Sequence, residues 1–472
     1  MDMPFGSVRQ LGRSGNFGPH NLRFSAGTHV DLGRIQVSNR ADYRAPADHG
    51  NRFLRLSASI LAILIFLALG LWISKTLVAG QFGQTPTVRN LQLAAKLDPT
   101  NSEYHLRLSR LYEYNLTDID PVRAEAQARR ATQLNSYDPQ AWLHLGATLE
   151  FQGKTAEAEN CLRKADFLAP ALPQIQWAAG NFFLLHGNIN EAFRHFRVVL
   201  TGSNRFNQML FETAWKASGD ADKILSELIP DNIDTEFDYL NYLVARQRYA
   251  EAGKLWKRVV GASASFEPAR AAYYVRTLIA ARHASDAYEV WNSLRAKGVI
   301  PATYEQTRQN LIINGDFEQP ILGMGFDWQL GQIEGAYISA DETNFHSPSH
   351  SLLIQFSGKQ NVDFQHLIQI AKVQAGRSYR LQGTMKTEGI TTDSGPRLHV
   401  HDFYDPHALY QFSDDLKGNS MGWEPLMLDF KTPRNTTWIV VAVARVPSGK
   451  LDNLIAGKVW VDDITLTERP SQ

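Results

Sequence analysis

Between Arg397 and Asp405 the chain reads RLHVHDFYD. In an extended strand, successive side chains leave on opposite faces. The alternation predicts Leu398, Val400 and Tyr404 on one face and Arg397, His399, His401 and Phe403 on the other. A guanidinium, two imidazoles and an aromatic ring on one sheet face have the chemistry to hydrogen-bond a sugar and stack on its ring, with Trp423 or Trp328 as a further platform. The competing reading is a solvated strand face without a ligand. His399 and His401 have metal-ligand spacing, but no third ligand accompanies them, which argues against zinc.

Other chemistry is scarce. A glycosidase needs two carboxyl groups held across a bond at a defined separation. Asp402, Asp405, Asp414 and Asp415 are present, but nothing in the sequence pairs them. There is no Gly-x-Ser-x-Gly, no phosphate-binding glycine loop and no His-Glu-x-x-His. The single cysteine, Cys161, sits between Ala158 and Leu162 in an apolar helical pattern and reads as packing. The formal net charge is zero with 20% charged residues, without the basic excess of a nucleic-acid binder. A non-enzyme with no nucleic-acid partner is expected.

The elements that must position these residues are strands. SLLIQFS, HLIQIA, SYRLQGTMKT, RLHVHDFY, PLMLDF, TWIVVAVARV and KVWVDDITLTE are short segments rich in branched and aromatic residues. Turn residues such as Ser-Gly-Lys, Ala-Gly-Arg and Pro-Ser-Gly separate them. Eight or nine strands in about 160 residues imply an all-β jelly-roll sandwich. Several fragments carry a resemblance: Asn314-Gly315-Asp316-Phe317-Glu318, then Trp328, then His350-Ser351-Leu352, then Gly376-Arg377-Ser378-Tyr379-Arg380-Leu381, and finally Val459-Trp460-Val461-Asp462-Asp463-Ile464. Over residues 308–468 the module resembles galactose-binding-like β-sandwiches, similar to carbohydrate-binding modules of families four and nine. The resemblance implies a glycan ligand and first and last strands lying close together. It also implies a structural calcium ion held there by Asp316, Glu318, Asp462 and Asp463, since hard oxygen ligands suit that ion. The competing reading is that these acids cap turns and solvate an edge.

Residues 84–302 repeat. Pro139 to Pro170 can be laid over the residues that follow without a gap. Gly146 then falls on Gly180, Gly153 on Gly187, Ala158 on Ala192 and Leu162 on Phe196, each at a spacing of 34. Small residues let two antiparallel helices approach, large apolar residues fill the gap to the next pair, and a proline stops the second helix. Trp142, Leu145, Gly146, Ala158, Leu162, Ala165 and Pro170 resemble the tetratricopeptide repeat. Weaker copies on both sides bring the expected total to five or six units. LQLAAKLDPTN, from Leu91 to Asn101, looks like the second helix of a leading unit. The resemblance implies an all-α tetratricopeptide solenoid with a groove for a protein or peptide partner, lined by Arg110, Glu150, Trp177, Asn181 and Arg276. The linker Val299 to Gln309 has one proline and no glycine run, which fits close abutment of the two modules.

Leu56 to Ser74 contains no charge and is flanked by Arg52, Arg55 and Lys75. That length is near what a helix needs to span a bilayer. A single transmembrane helix is expected over residues 53–76, acting as an uncleaved signal anchor. The arginines of residues 1–52 predict a cytoplasmic, disordered tail. The expected organisation is multidomain and single-pass, in a bacterial inner membrane with both folded modules in the periplasm. The expected function is a scaffold that recruits a protein through its repeats and binds a glycan through its β-module, in cell-envelope polysaccharide assembly. The alternative is a pure protein scaffold whose β-module docks or caps.

Overall fold

The computed structural model describes residues 49–470, with side chains from Arg55 onward. The tail expected over residues 1–52 lies outside the described residues as far as position 48, and so does its cytoplasmic placement. Helix α1, His49–Gln84, contains Arg55–Gln84, a 30-residue stretch whose most apolar 18 residues have a mean hydropathy of 2.6. It is long and apolar enough to cross a membrane. It runs past position 76, where the span was expected to end. Its last turns belong to the compact unit that begins at Thr76.

That unit opens with a helical solenoid. Its helices are α2 (Val88–Leu97), α3 (Ser102–Tyr114), α4 (Pro121–Leu134), α5 (Pro139–Phe151), α6 (Thr155–Leu168), α7 (Pro173–Leu185) and α8 (Ile189–Gly202). They continue with α9 (Asn207–Ser218), α10 (Ala221–Lys223, extended by a π-helical turn to Leu228), α11 (Ile233–Ala245), α12 (Tyr249–Gly261), α13 (Pro268–Ala280) and α14 (Ala284–Ala296). Ala79, Leu91, Ala94 and Tyr104 form one buried cluster, so the end of α1 supplies the first helix of the leading unit. The α1 backbone there comes so close that a Cβ on Gly83 would stand 2.6 Å from the Tyr104 ring.

The repeat has a local cause. Asp138 caps α5 by accepting from the Gln140 amide at 2.9 Å, with Pro139 at the first helical position, where its missing N–H costs nothing. Gly153 and Gly187 turn the chain into the second helix of their pairs with φ of 74° and 75°. Gly219, Gln247 and Arg282 adopt the same left-handed conformation in later pairs, at φ of 61°, 59° and 65°. The later units look degenerate because two of these turns are made without glycine. At Gly180 the helices are so close that a Cβ would lie 2.3 Å from the Phe196 ring.

The β-module has strands β1 (Gln329–Leu330), β2 (Ala336–Asp341), β3 (Ser351–Ser357), β4 (Phe364–Lys372), β5 (Ser378–Glu388), β6 (Arg397–Asp402), β7 (Tyr410–Phe412), β8 (Glu424–Lys431), β9 (Trp438–Arg445) and β10 (Ala456–Arg469). They form two antiparallel five-stranded sheets, ordered β1-β4-β9-β6-β7 and β2-β3-β10-β5-β8, in a jelly-roll sandwich. Leu398, Val400, Val441 and Val443 of the first sheet meet Ile354, Leu381, Val459 and Val461 of the second in the core.

The two modules share one apolar cluster. Met324, Phe326, Ile370, Trp438 and Val440 of the sandwich are buried together with Val275, Val290 and Trp291 of the array. Phe326 rides on a loop shaped by Asp327. This fully buried carboxylate accepts from the amides of Leu322, Gly323, Met324 and Gly325 at 2.5 to 3.4 Å. A Cβ on Gly325 would lie 2.5 Å from Ile279, so this loop meets α13 by backbone contact. The expected abutment is present, and its seam is a desolvated core.

Candidate functional site

On β6 the alternation holds from Arg397 to Asp402. Leu398 and Val400 are fully buried in the sandwich core. Arg397, His399 and His401 lie on the outer face, opposite Ala444, Ala442 and Val440 of β9. Beyond Asp402 the alternation ends in a turn. The Asp402 carboxylate accepts from the amides of Tyr404 and Asp405 at 2.7 and 2.8 Å. Two expectations are corrected by that turn. Phe403 leaves the sheet face and packs against the interdomain cluster. Tyr404 is exposed at the seam, where its carbonyl accepts from Arg282, and is not in the core.

His399 is the centre of an aromatic stack. Its ring lies 4.2 Å from that of Phe412 at an interplanar angle of 18°, and 4.4 Å from Tyr410, edge on. The Arg397 guanidinium stands over Phe412 at 5.9 Å and pairs with Asp415 at 3.0 Å. His399 Nδ1 is 2.9 Å from the Gln411 carbonyl, so Nδ1 carries the proton and Nε2 is a bare acceptor. Nε2 is buried and has no hydrogen-bond partner. Burial pushes the His399 pKa down to about 4 and keeps the ring neutral. His401 is half-buried, with Nδ1 at 3.0 Å from the Asp402 carbonyl. The face therefore presents a guanidinium, a half-exposed imidazole and the half-exposed Tyr410 ring beside small alanines. Such a surface offers stacking and hydrogen bonds to a polar ring. Tyr410 and Phe412 escaped the sequence reading because β7 is only three residues long, although Tyr-x-Phe has the period of a strand face.

Neither tryptophan joins this face. Trp328 is fully buried in the core, against Phe317 at 5.4 Å, with Nε1 donating to the Asn314 carbonyl. Trp423 precedes β8 in the other sheet, and its ring stands 5.8 Å from His346.

The first and last segments, which carry the four acids, do meet. The Ile464 amide donates to the Gly315 carbonyl at 2.8 Å, next to a bulge between Asp462 and Thr465. A Cβ on Gly315 would fall 1.9 Å from the Ile464 carbonyl, so only glycine permits this approach. All four carboxylates already accept from protein donors, Asp316 by the longest contact. Asp462 accepts from the His346 and Ser347 amides and the Ser347 hydroxyl, Asp463 pairs with His346, and Glu318 accepts from Ser349 and the His350 amide. The Asp316 carboxylate faces the Glu318 amide at 3.5 Å. Among the described residues, no group of three His, Cys, Asp or Glu is arranged to hold a metal ion.

In the array, a cavity of about 440 Å³ opens across α3, α5 and α7, lined by Glu113, Tyr114, Ala147, Glu150, Phe151 and Asn181 among others. Glu150 Oε1 accepts from His186 at 2.8 Å, while its Oε2 is buried without a partner. Asn181 is exposed and binds the Trp177 carbonyl of its own helix. Arg110 and Arg276 are exposed on α3 and α13. Trp177 departs from the expectation: its ring packs inward between Phe196 and Phe206, at 5.7 and 5.4 Å. The sequence reading missed Tyr114, Phe151 and Leu185, which are 66%, 76% and 75% exposed at the ends of three successive first helices. Large apolar residues in the last position before a repeat's turn were the available signal.

No family model matches this chain, and no curated protein is similar to it. Among solved structures, the enzymatically active domain of tailspike protein 4 of bacteriophage CBA120 is 13% identical, with a TM-score of 0.25, over 34% of this chain and 21% of that one. A protein of Bacteroides thetaiotaomicron described as a putative sugar binding protein is also 13% identical, with a TM-score of 0.26, over 34% of this chain and 100% of that one. Pseudomonas aeruginosa PilF is 14% identical, with a TM-score of 0.24, over 48% of this chain and 91% of that one. The chain thus spans about a fifth of the tailspike domain. Likenesses at this level carry no argument about function.

Proposed function

We propose that this chain is a membrane-anchored extracytoplasmic scaffold that holds a protein partner in its helical groove and a glycan on the outer face of its β-module, in cell-envelope polysaccharide assembly. The observation that carries the reading is the Arg397–Phe412–His399–Tyr410 stack. The fully buried His399 ring holds the stack together, and Arg397, His401 and Tyr410 are the groups it leaves open to a ligand. Stacking rings beside hydrogen-bonding groups suit a sugar. The apolar, glutamate-rimmed cavity across α3, α5 and α7 supports a peptide segment as the second ligand.

The test is glycan binding by the region from Thr76 onward, because its seam residues would be stripped bare in an isolated β-module. His401→Ala and Tyr410→Ala are expected to weaken binding at least about tenfold while the fold persists. Absence of binding across a broad envelope-glycan panel removes the glycan from the proposal. A second reading then stands, in which the sandwich is a docking or capping domain. The burial of Trp438, Val440 and Ile370 against the array favours it. The proposal also includes a calcium ion among Asp316, Glu318, Asp462 and Asp463, which must compete with His346 and the Ser349 hydroxyl. A rise in melting temperature with added calcium supports it, and an unchanged one removes the ion.

A further inference from the structure

The β-module is electrically lopsided. Residues 308–470 contain 14 Lys and Arg against 19 Asp and Glu. At the end of the sandwich that meets the array, the balance reverses. Two polar clefts adjoin there and share Tyr379. One, of about 550 Å³, lies at the seam between Tyr288 of α14, the segment around Arg308, the β4–β5 turn with Lys372 and Arg377, and Glu468. The other, of about 600 Å³, is bounded by Ser378, Gln411, Asp429, Lys431 and Arg469. Arg434 sits in the loop whose Pro433 carbonyl accepts from the Gly376 amide, beside the same turn.

The cations here outnumber their partners. Arg380 and Arg469 share Asp429, and Arg377 faces Glu468 at 3.7 Å. Among the described residues, Arg308, Lys372, Lys431 and Arg434 make no ion pair, and all four are exposed. The Lys372 ammonium is held over the Tyr288 and Trp438 rings at 5.5 and 5.7 Å. Concave walls with a net excess of one sign of charge concentrate the field and raise the local concentration of counter-ions, and here the cations exceed Asp429 and Glu468. Two neighbouring clefts, one of them at the seam between the modules, fit an extended chain better than a single small anion.

We infer that this double cleft binds an acidic saccharide chain, through charges on Arg308, Lys372, Arg377 and Lys431. The site meets the edge of the His399 face at Gln411, but its cations are not those of that face. None of the large exposed apolar side chains lines either cleft. Membrane surfaces are usually gripped by apolar residues flanking the cations, so a polymer is favoured over a lipid headgroup.

The experiment uses the full chain in nanodiscs of zwitterionic lipid. Fluorescence anisotropy follows a labelled galacturonate decamer and, in parallel, a neutral dextran of similar length. The expected result is binding of the galacturonate alone, weakened by salt and lowered at least about tenfold by the pair Lys372→Gln and Arg377→Gln. The pair Lys359→Gln and Lys458→Gln removes the same charge from the opposite end of the sandwich and is expected to leave affinity unchanged. Equal losses in the two pairs reduce the effect to net charge and overturn the site. No galacturonate binding, or cleft-dependent binding to phosphatidylglycerol vesicles alone, overturns the saccharide as occupant.

Discussion

Lowering the pH tests how deeply the array depends on neutral histidines, and His195 gives the clearest case. The ring is 2% exposed and lies parallel to Phe183 at 5.4 Å. Its Nδ1 is 2.6 Å from Gln176 Oε1, and Arg194 Nη2 is 2.8 Å from its Nε2. The Gln176 amide donates to Asp166, which fixes its oxygen toward the imidazole. Nδ1 must therefore donate and Nε2 must accept, and a second proton would break the Arg194 contact. Burial, helped by Arg194 and opposed by Asp166 and Glu191, pushes the pKa down to about 4. The unfolded chain, with its imidazole near 6.5, takes up the proton first. Stability from this group is complete above about pH 6.5 and is lost as pH falls toward 4. A shift of about 2.5 units corresponds to about 3.4 kcal/mol in full and about 2 kcal/mol by pH 5. Urea unfolding of the region from Thr76, followed by circular dichroism at pH 7, 6 and 5, reads this directly. His195→Gln is expected to remove about 2 kcal/mol of the difference between pH 7 and pH 5. An identical pH slope in the variant, or stability that rises on acidification, refutes the reasoning. His144, pushed down to about 4 by burial and by Arg110, and His399 add to the same loss.

Other perturbations probe the packing. Trp438 is 1% exposed and meets Tyr288 and Phe326 at ring distances of 5.4 and 5.6 Å. Trp438→Ala is expected to cost about 3–5 kcal/mol and to split one calorimetric transition into two, as array and sandwich uncouple; a single unshifted transition counts against a cooperative seam. Gly180→Ala drives a methyl into the Phe196 ring and is expected to destabilise by about 1–3 kcal/mol, read by chemical denaturation. Gln247→Gly is expected to stabilise by up to about 1 kcal/mol, since glycine adopts its left-handed turn without a Cβ clash; a fall in melting temperature contradicts this.

The amino-acid sequence by itself determined the local and periodic features. The apolar run in α1 follows from composition. The helix pairs follow from caps, prolines and small residues at a spacing of 34, because these act within one or two repeats. The sandwich follows from period-two strands broken by turn residues. The inward positions of Leu398 and Val400 follow from the same alternation. The long-range arrangement came only from the tertiary structure. Phe403 reads as a continuation of the strand, yet the Asp402 turn sends it into a seam built by helices more than a hundred residues away. Trp423 is near β6 in sequence and lies on the other sheet, because strand order is set by which apolar faces can be buried together. Tyr410 and Phe412 matter only because β7 pairs with β6. Arg308, Lys372, Arg377 and Lys431 are scattered single charges in the sequence. They become a cleft because the sandwich closes beside the last helix pair, and charge acts through space rather than along the chain.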